Sequence, residues 1–181
     1  MEFIDVLDEN GNKTNIVRNK QLIYKLGSWH KSVHVWILNS NNELLLQKRS
    51  KNKETFPNKW AISIAGHVKA GETSLEAAKR EVKEEINLSI QDNELIKLFS
   101  LKRTQPYKDS FLNVYDDVYL LQMDLDISKT IVQKEELTDI KFINFNEYEQ
   151  RLKAKDSNLV PYSEEHELLF KYLRKKLNLG D

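Results

Sequence analysis

Residues 66–88 read GHVKAGETSLEAAKREVKEEINL, and this stretch contains the most informative pattern in the chain. Glu81, Glu84 and Glu85 stand at positions i, i+3 and i+4, so a helix brings all three carboxylates to one face. Carboxylates ~5–6 Å apart repel one another by roughly 3 kcal/mol at an effective dielectric of about 20. A hard divalent cation with oxygen ligands would compensate this repulsion. A solvated, Glu-rich helix face is the alternative interpretation of the triplet taken alone.

The residues around the triplet predict a helix that begins just after Glu72. Thr73 and Glu76 have the spacing of a capping box at a helix start. An apolar stripe at helical spacing, which would leave the acids on another face, consists of Leu75, Ala78, Val82 and Ile86. Asn87 follows the predicted helix end, where we expect the left-handed conformation that Gly or Asn adopts at such positions.

The wider spacing resembles the signature of the Nudix hydrolases (MutT-like proteins): Gly, five residues, Glu, seven residues, then Arg-Glu-apolar-x-Glu-Glu. At ordinary residue frequencies, six such identities coincide by chance about once in a million starting positions. The one departure is Asn87, where the family pattern has a second glycine. The resemblance implies an α/β (α+β) fold, the Nudix α/β/α sandwich, with a mixed β-sheet, an N-terminal β-hairpin extension and C-terminal helices.

The same resemblance assigns roles to residues of this stretch. The implied metal ligands and catalytic acids are Glu81, Glu84 and Glu85. The Gly66 carbonyl is implied as a further ligand, and Glu72 with Arg80 as a supporting pair whose charge-assisted bond ties the loop to the helix. Mg²⁺, for which Mn²⁺ could substitute, would screen the phosphates of a diphosphate and lower the pKa of bound water. An exposed ion pair worth only ~0–1 kcal/mol is the alternative for Glu72 and Arg80.

The identity of the general base stays open, because members of the family use different carboxylates. Asp116 and Asp117 interrupt an otherwise apolar strand, where Asp is disfavoured, so either is a candidate for an extra metal ligand or base. A partly exposed strand face is the alternative for both residues. Glu135 and Glu136 are further candidates, just before the next predicted strand.

Candidates for substrate contacts lie mostly outside the predicted helix. Basic side chains that could meet phosphates, or be solvated in a loop instead, are Lys48, Arg49 and Lys51. Aromatic side chains that could stack on a base, or belong to the core instead, are Trp29, Trp36, Trp60 and Tyr107. Imidazoles that could contact substrate, or be structural instead, are His30, His34 and His67. We predict that specificity is set by loops at residues 27–32, 49–59 and 103–112.

A longer resemblance involves residues 34–38, 46–50, 57–60 and 63–68, and with the N-terminal segment it covers most of residues 1–145. These segments are similar to the subgroup that includes type 1 isopentenyl diphosphate isomerase. That isomerase has its catalytic cysteine in a Ser-Val-Cys-Gly-His context, where this chain has Ser-Ile-Ala-Gly-His with Ala65 at the cysteine position. A methyl group cannot transfer a proton, so hydrolysis is favoured over isomerisation. A non-catalytic ligand-binding module, the other alternative, typically lacks one or more of the acids, all of which are present here.

The composition of the whole chain favours one domain. Its 181 residues are 40% hydrophobic and 31% charged, which suffices for a substantial core. The absence of cysteine excludes disulfides, thiolate metal sites and a cysteine nucleophile. We expect a single Nudix domain over residues 1–181, with an N-terminal extension at 1–30, the signature at 66–88 and the C-terminal helices at 146–181.

The charge balance and the absence of targeting signals limit the expected partners. The 28 basic and 28 acidic side chains cancel, so neither nucleic acid nor a membrane is an expected partner. Neither a signal peptide nor an apolar run of membrane-spanning length is visible, from which we expect a cytoplasmic protein. The expected partner is a small-molecule diphosphate substrate, and the resemblance is compatible with a homodimer.

Local patterns predict the remaining elements. Strands are expected at residues 2–7, 33–38, 43–48, 60–64, 94–101, 113–123 and 140–145, with a hairpin turn at 39–42. One helix is expected to begin near Asn146, and another to extend from its N-cap Ser163 to Gly180. His166, in the last of these helices, is expected to have no chemical role.

Overall fold

The computed structural model describes residues 1–133 and 135–178. In chain order, the elements are β1 (Phe3–Leu7), β2 (Lys13–Asn19), α1 (Lys20–Leu26), β3 (His30–Leu38), β4 (Glu43–Arg49), β5 (Trp60–Ala61), β6 (Ile64–His67), α2 (Ser74–Ile86), β7 (Leu95–Tyr107), β8 (Ser110–Gln122), β9 (Leu137–Asn144), α3 (Phe145–Lys153) and α4 (Glu164–Lys176). The chain forms two compact units: residues 1–36 with 64–122, and residues 37–63 with the segment from Met123 onward. A single domain over residues 1–181 stays a prediction.

The first unit contains the predicted N-terminal hairpin, in which β1 and β2 pair antiparallel. In its sheet, β3 lies between β6 and β8, and β8 pairs antiparallel with β7. Val33 lies opposite Gly66 in the register of β3 and β6, and Ser32 lies opposite His67. Because side chains alternate along a strand, Val33 and Gly66 share the face that packs against α2, whereas Ser32 and His67 belong to the opposite face.

Helix α2 begins and ends as its sequence predicts. The Thr73 hydroxyl accepts a hydrogen bond from the Glu76 amide at 3.2 Å, and the Glu76 carboxylate accepts one from the Thr73 amide at 2.8 Å. Asn87 ends the helix in the left-handed conformation, with φ of 55°. The sequence predicts that the three acids lie on a face of α2 away from its buried side. This prediction is wrong for Glu81 and Glu85, which are only 9% and 3% exposed.

The second unit contains β4 between β5 and β9, with antiparallel pairing on both sides. The predicted hairpin about residues 39–42 is present, since Leu38 pairs with Leu44. Ser163 precedes α4 as predicted, and its amide donates to His166 Nδ1 at 3.2 Å, so His166 caps the helix. The predicted end at Gly180 lies outside the described residues. Among the residues that the structure describes, no helix combines the length and the apolar character of a membrane span.

Three sequence predictions about these elements are wrong. The single strand expected at residues 60–64 is divided into β5 and β6; between them, Ser63 Oγ donates to the Leu45 carbonyl at 2.6 Å and accepts from the Ile37 amide at 2.9 Å. Most of the loop expected at residues 103–112 belongs to the β7–β8 hairpin, whose turn has Lys108 at φ of 50°. The loop expected at residues 27–32 ends where β3 begins, at His30. Helix α1 was not predicted.

Candidate active site

Helix α2 places the Glu81 carboxylate directly against the backbone of Gly66. A Cβ on Gly66 would lie 2.0 Å from Glu81 Cδ and 2.1 Å from its Oε1, which is far inside van der Waals contact. Any side chain at position 66 would therefore displace the Glu81 carboxylate. The first glycine of the signature lets a buried carboxylate approach the chain at β6.

Arg80 connects the signature loop (residues 67–72) to α2 through its guanidinium group. Its Nε and Nη2 donate to the two carboxylate oxygens of Glu72, at 2.8 and 2.9 Å. Its Nη2 also donates to the His67 carbonyl at 2.9 Å. The expected pairing of Glu72 with Arg80 is present, and side-chain exposures of 22% and 18% set it apart from a surface ion pair.

The same guanidinium group lies between two of the signature carboxylates. Arg80 Nη1 donates to Glu81 Oε1 at 2.5 Å and to Glu84 Oε2 at 3.2 Å. The Glu84 side chain is 46% exposed and also lies 3.4 Å from Lys69 Nζ, whereas Glu85 is buried. Within residues 1–133 and 135–178, no three His, Asp or Glu side chains converge in an arrangement that could hold a metal ion.

Burial and the guanidinium group act in opposite directions on these acids. Burial raises the pKa of Glu81, against the effect of its bond from Arg80. Hydrogen bonds from Arg80 lower the pKa of Glu72. Burial alone would lower the pKa of Arg80, but its bonds to Glu72 and Glu81 outweigh burial and raise that pKa. Burial therefore favours a proton on Glu81 more than on Glu72.

Asp116 is fully buried on the sheet face away from α2, so the exposed-face alternative is wrong for this residue. Ser32 Oγ and Arg103 Nε donate to its carboxylate, and His34 Nε2 lies 3.6 Å away. Burial alone would raise the pKa of Asp116. The charges of His34 and Arg103 outweigh burial, so the pKa of Asp116 lies below its usual value. Asp116 is therefore held as an anion among cationic and hydroxyl partners.

Asp117 is 1% exposed, so the exposed-face alternative is wrong for it as well. It projects to the α2 face, where its carboxylate accepts from Ser100 Oγ at 2.5 Å and lies 2.9 Å from Lys97 Nζ and 3.2 Å from Lys31 Nζ. Burial opposes ionisation, but the hydrogen bonds from Lys97 and Ser100 lower the pKa of Asp117 to about 2. The two neighbouring aspartates thus occupy different environments.

His67 has partners on both of its ring nitrogens. Its Nε2 lies 2.8 Å from the Tyr24 hydroxyl, and its Nδ1 lies 3.4 Å from Glu2 Oε1. Nearby, burial lowers the pKa of His30 to about 4, and its Nδ1 lies 3.1 Å from the Ser28 carbonyl. Substrate binding by His67 stays a prediction. Sequence reasoning missed Glu2 and Tyr24, which no local pattern links to the signature.

The other predicted substrate residues lie in the second unit. Arg49 Nε and Nη2 donate to the carbonyl and hydroxyl oxygens of Thr55, at 2.9 and 3.1 Å, so Arg49 holds the loop that follows β4. Lys141 Nζ lies 4.2 Å from the ring centroid of Trp60, and Lys48 is half-buried. Their roles toward a substrate stay predictions.

The other aromatic and acidic candidates have local partners. In the first unit, Trp29 has Lys102 Nζ 4.7 Å from its ring centroid. Trp36 is 1% exposed and belongs to the core, which was the alternative to stacking on a base. In the second unit, Lys53 donates to the Glu136 carboxylate.

Several known proteins are similar to this chain in sequence and fold. The family model for the NUDIX domain matches residues 28–163. Nudix hydrolase 3 of Arabidopsis thaliana is 35% identical over 186 residues, an alignment that covers 99% of this chain and 24% of the plant protein. This chain thus spans about a quarter of that relative's length. An uncharacterised Nudix hydrolase of Listeria innocua is 35% identical over 164 residues, 90% of each protein.

A solved structure and a more distant relative are also similar to this chain. A crystal structure from Deinococcus radiodurans matches with a TM-score of 0.71 at 25% identity, covering 94% of this chain and 98% of the other. The predicted mixed α+β Nudix fold with C-terminal helices is confirmed. An isopentenyl-diphosphate Delta-isomerase of Aromatoleum aromaticum is 26% identical over 143 residues, 78% of this chain, which is consistent with the subgroup resemblance. The signature geometry, the fold and these relatives together place the chain in the Nudix hydrolase family.

Proposed function

We propose that this chain is a Mg²⁺-dependent hydrolase that cleaves a diphosphate linkage in a nucleoside diphosphate derivative or a similar organic diphosphate, with Mn²⁺ as a substitute ion. The observation that carries the proposal is the buried Glu81 carboxylate, which lies against the backbone of Gly66 and accepts a hydrogen bond from Arg80. A solvated helix face would need neither the burial of Glu81 nor the missing side chain of Gly66.

The residue types at this site suit a hard cation. Its proposed ligands are the carboxylates of Glu81, Glu84 and Glu85 and the carbonyl of Gly66, all oxygen donors. When bound, the ion would screen phosphate charge and lower the pKa of a coordinated water. Arg80 Nη1 now supplies the positive charge between Glu81 and Glu84. Ion binding would therefore require these two carboxylates to turn from Arg80, and the half-exposed Glu84 has room to do so.

The chain's own residues would orient the reaction and move its proton. Arg80 holds the loop on α2 through Glu72 and the His67 carbonyl. The candidates for the general base are the three carboxylates of α2, Glu81, Glu84 and Glu85. Asp117 projects to the α2 face and is a better candidate for an extra ligand or base than Asp116, which lies on the opposite face. The substrate-side roles of Lys48, Arg49, Trp60 and His67 belong to the same proposal.

Isomerisation of isopentenyl diphosphate is a weaker proposal. It would need a proton-transferring group at position 65, where this chain has alanine. A non-catalytic binding module would have no need of the full set of acids that the site retains. A cytoplasmic location and a homodimer are also proposed, to be tested by cell fractionation and by light scattering.

The proposal is tested by a phosphatase-coupled assay with and without Mg²⁺. A panel of nucleotide sugars, dinucleotides, nucleoside triphosphates and coenzyme A is incubated with the protein. Alkaline phosphatase then releases phosphate from the phosphomonoester products of the nucleotide sugars, the dinucleotides and coenzyme A, inorganic pyrophosphatase reports the pyrophosphate released from nucleoside triphosphates, and each substrate's enzyme-free blank is subtracted. We expect metal-dependent release from at least one compound, and a loss of at least about 100-fold in kcat for Glu84→Gln and Glu85→Gln.

Glu9→Gln is the matched control, because Glu9 is exposed in the β1–β2 turn. Full metal-dependent rates in both signature variants would overturn the site assignment. A folded protein that turns over none of the panel would instead favour the binding module. Turnover of isopentenyl diphosphate to its isomer, without release of phosphate, would favour the isomerase.

A further inference from the structure

Residues 1–27 of the N-terminal extension precede the segment that matches the family model. It has a hydrophobic cluster of its own, in which Ile4, Val6 and Ile23 are buried and Tyr24 packs against them. The cluster joins β1 to α1. Within the extension, β1 and α1 therefore pack against each other, and β1 also contacts the signature loop.

A backbone carbonyl and a side chain of β1 bind the apex of that loop, residues 70 and 71. The Ala70 amide donates to the Phe3 carbonyl at 2.8 Å, and Ile4 forms a β-bridge with Lys69. The Gly71 amide donates to the Asp5 carboxylate at 3.1 Å. Lys13 Nζ lies 2.6 Å from the same Asp5 oxygen and fixes its position.

The other amides of the loop bond elsewhere. Val68 donates to the Lys31 carbonyl, Lys69 to the Glu72 carboxylate, and Glu72 to the Lys69 carbonyl. Two consecutive amides at the apex thus bond to the extension, whereas those before and after them bond to β3 or to the loop itself. Removing the Asp5 carboxylate would take away the acceptor of one apical amide.

Glu2 provides a second attachment, through His67. Its Oε1 lies 3.4 Å from His67 Nδ1, and its Oε2 lies 3.7 Å from Lys20 Nζ. Tyr24, one turn after Lys20 in α1, places its hydroxyl 2.8 Å from His67 Nε2. On the other side of His67, its carbonyl accepts from Arg80. His67, which is next to Gly66, therefore contacts the extension through its ring and α2 through its carbonyl group.

We propose that Glu2 and Asp5 are positioning residues of the active site, which hold residues 67–71 in the conformation that places the Gly66 carbonyl, and the His67 carbonyl that binds Arg80, beside the proposed metal site. This inference rests on the proposed function. Neither residue touches a reacting atom in this proposal. Each acts through the loop, Asp5 on the Gly71 amide and Glu2 on the His67 ring.

The test compares Glu2→Ala and Asp5→Ala with the wild type by three measurements. Hydrogen exchange of peptides covering residues 66–72 reports loop order, and water-proton relaxation with Mn²⁺ reports metal affinity; neither depends on turnover. Kinetics at limiting and saturating Mg²⁺ separate metal activation from substrate binding. We expect about tenfold faster exchange of the peptides covering Gly71 in Asp5→Ala, and about tenfold weaker Mn²⁺ binding in each variant. KM at saturating metal should be unchanged in Asp5→Ala, because Asp5 does not contact the His67 ring.

Conservative and control variants separate positioning from general damage to the fold. Asp5→Asn keeps an oxygen that can accept from the Gly71 amide, so it should restore most of the Mn²⁺ affinity. Asp8→Ala is the matched control: Asp8 accepts from the amides of Asn10 and Asn12 within the β1–β2 turn, in the same extension. This variant should leave exchange at residues 66–72 and Mn²⁺ binding unchanged. If an alanine variant fails to fold, Glu2→Gln and Tyr24→Phe provide the milder test at His67.

The outcomes distinguish this inference from the proposed function. Faster exchange and weaker Mn²⁺ binding without hydrolysis of any compound would support positioning and overturn the hydrolase proposal. Wild-type exchange and Mn²⁺ affinity in both alanine variants would overturn positioning, whatever the activity. Faster exchange with wild-type Mn²⁺ affinity would also overturn it, because the extension would then only stabilise the loop.

Discussion

Replacing Gly66 with alanine is expected to displace a carboxylate while leaving the fold in place. The new Cβ would lie 2.0 Å from Glu81 Cδ and 2.5 Å from Oε2. An ordinary contact needs ~3.5–4.0 Å, so the carboxylate has to withdraw by roughly 1.5 Å. The atoms that move are the end of a flexible side chain, and the backbones of β6 and α2 can stay where they are.

The effects on stability and on catalysis should therefore differ in size. Withdrawal breaks the bond from Arg80 to Glu81, and a hydrogen bond to a charged group contributes about 1.5–3 kcal/mol. Since the displaced carboxylate regains some water, we expect the free energy of unfolding to fall by about 1–2 kcal/mol. Misplacement of a catalytic group by ~1 Å can cost about 100-fold, so kcat should fall by at least that factor.

Urea denaturation and the coupled phosphatase assay measure the two quantities. Ala65→Gly is the matched control, because it loosens the same strand at a cost of about 0.5–1 kcal/mol without approaching Glu81, and its kcat should stay within a few-fold of wild type. A double-mutant cycle isolates the contact. In a Glu81→Ala background, Gly66→Ala should cost little, giving a coupling energy of about 1–2 kcal/mol. Equal costs in both backgrounds, or a wild-type kcat for Gly66→Ala, would refute the reasoning.

Variants at three further positions test the local structure. Asn87→Ala should lower the free energy of unfolding by about 1 kcal/mol, because φ of 55° disfavours alanine, whereas Asn87→Gly should not; urea denaturation measures both. Thr73→Ala removes the N-cap acceptor of α2 and should cost about 1 kcal/mol with kcat unchanged. The pKa of Asp117 is lowered to about 2, so its stabilisation is complete above about pH 4 and is lost as the pH falls toward 2. Wild type should therefore lose about 2 kcal/mol more than Asp117→Asn over this interval, and equal losses by urea denaturation would contradict that sign.

Helix α2 could be predicted almost to the residue, because the interactions that define it are local. The capping box joins residues three apart, and the left-handed end depends on the conformational preference of Asn87 alone. The same applies to the pairing of Glu72 with Arg80, which the signature spacing implies. The burial of Glu81 and Glu85 could not be predicted, because the approach of α2 to β6 is a property of tertiary packing.

The elements and contacts that the sequence did not reveal depend on residues far apart in the chain. The division between β5 and β6 follows from hydrogen bonds of the Ser63 hydroxyl to the backbones of Leu45 and Ile37, and no sequence pattern near Ser63 predicts these bonds. The partners of Asp116 and Asp117 come from β3 and β7, so they depend on strand register. Contact between Glu2 and His67 likewise follows from the docking of the extension.

The alternation along β6 has a consequence for how this scaffold can change during evolution. Gly66 projects toward α2 and the acids, whereas Ala65, opposite His34, projects to the other side of the sheet. A thiol introduced by Ala65→Cys would meet the imidazole and hydroxyl groups of that side rather than the carboxylates of α2. Two adjacent residues thus project into separate chemical environments. A single substitution at position 65 can therefore remove a reactive group from one side of the sheet and leave the acids on the other side intact.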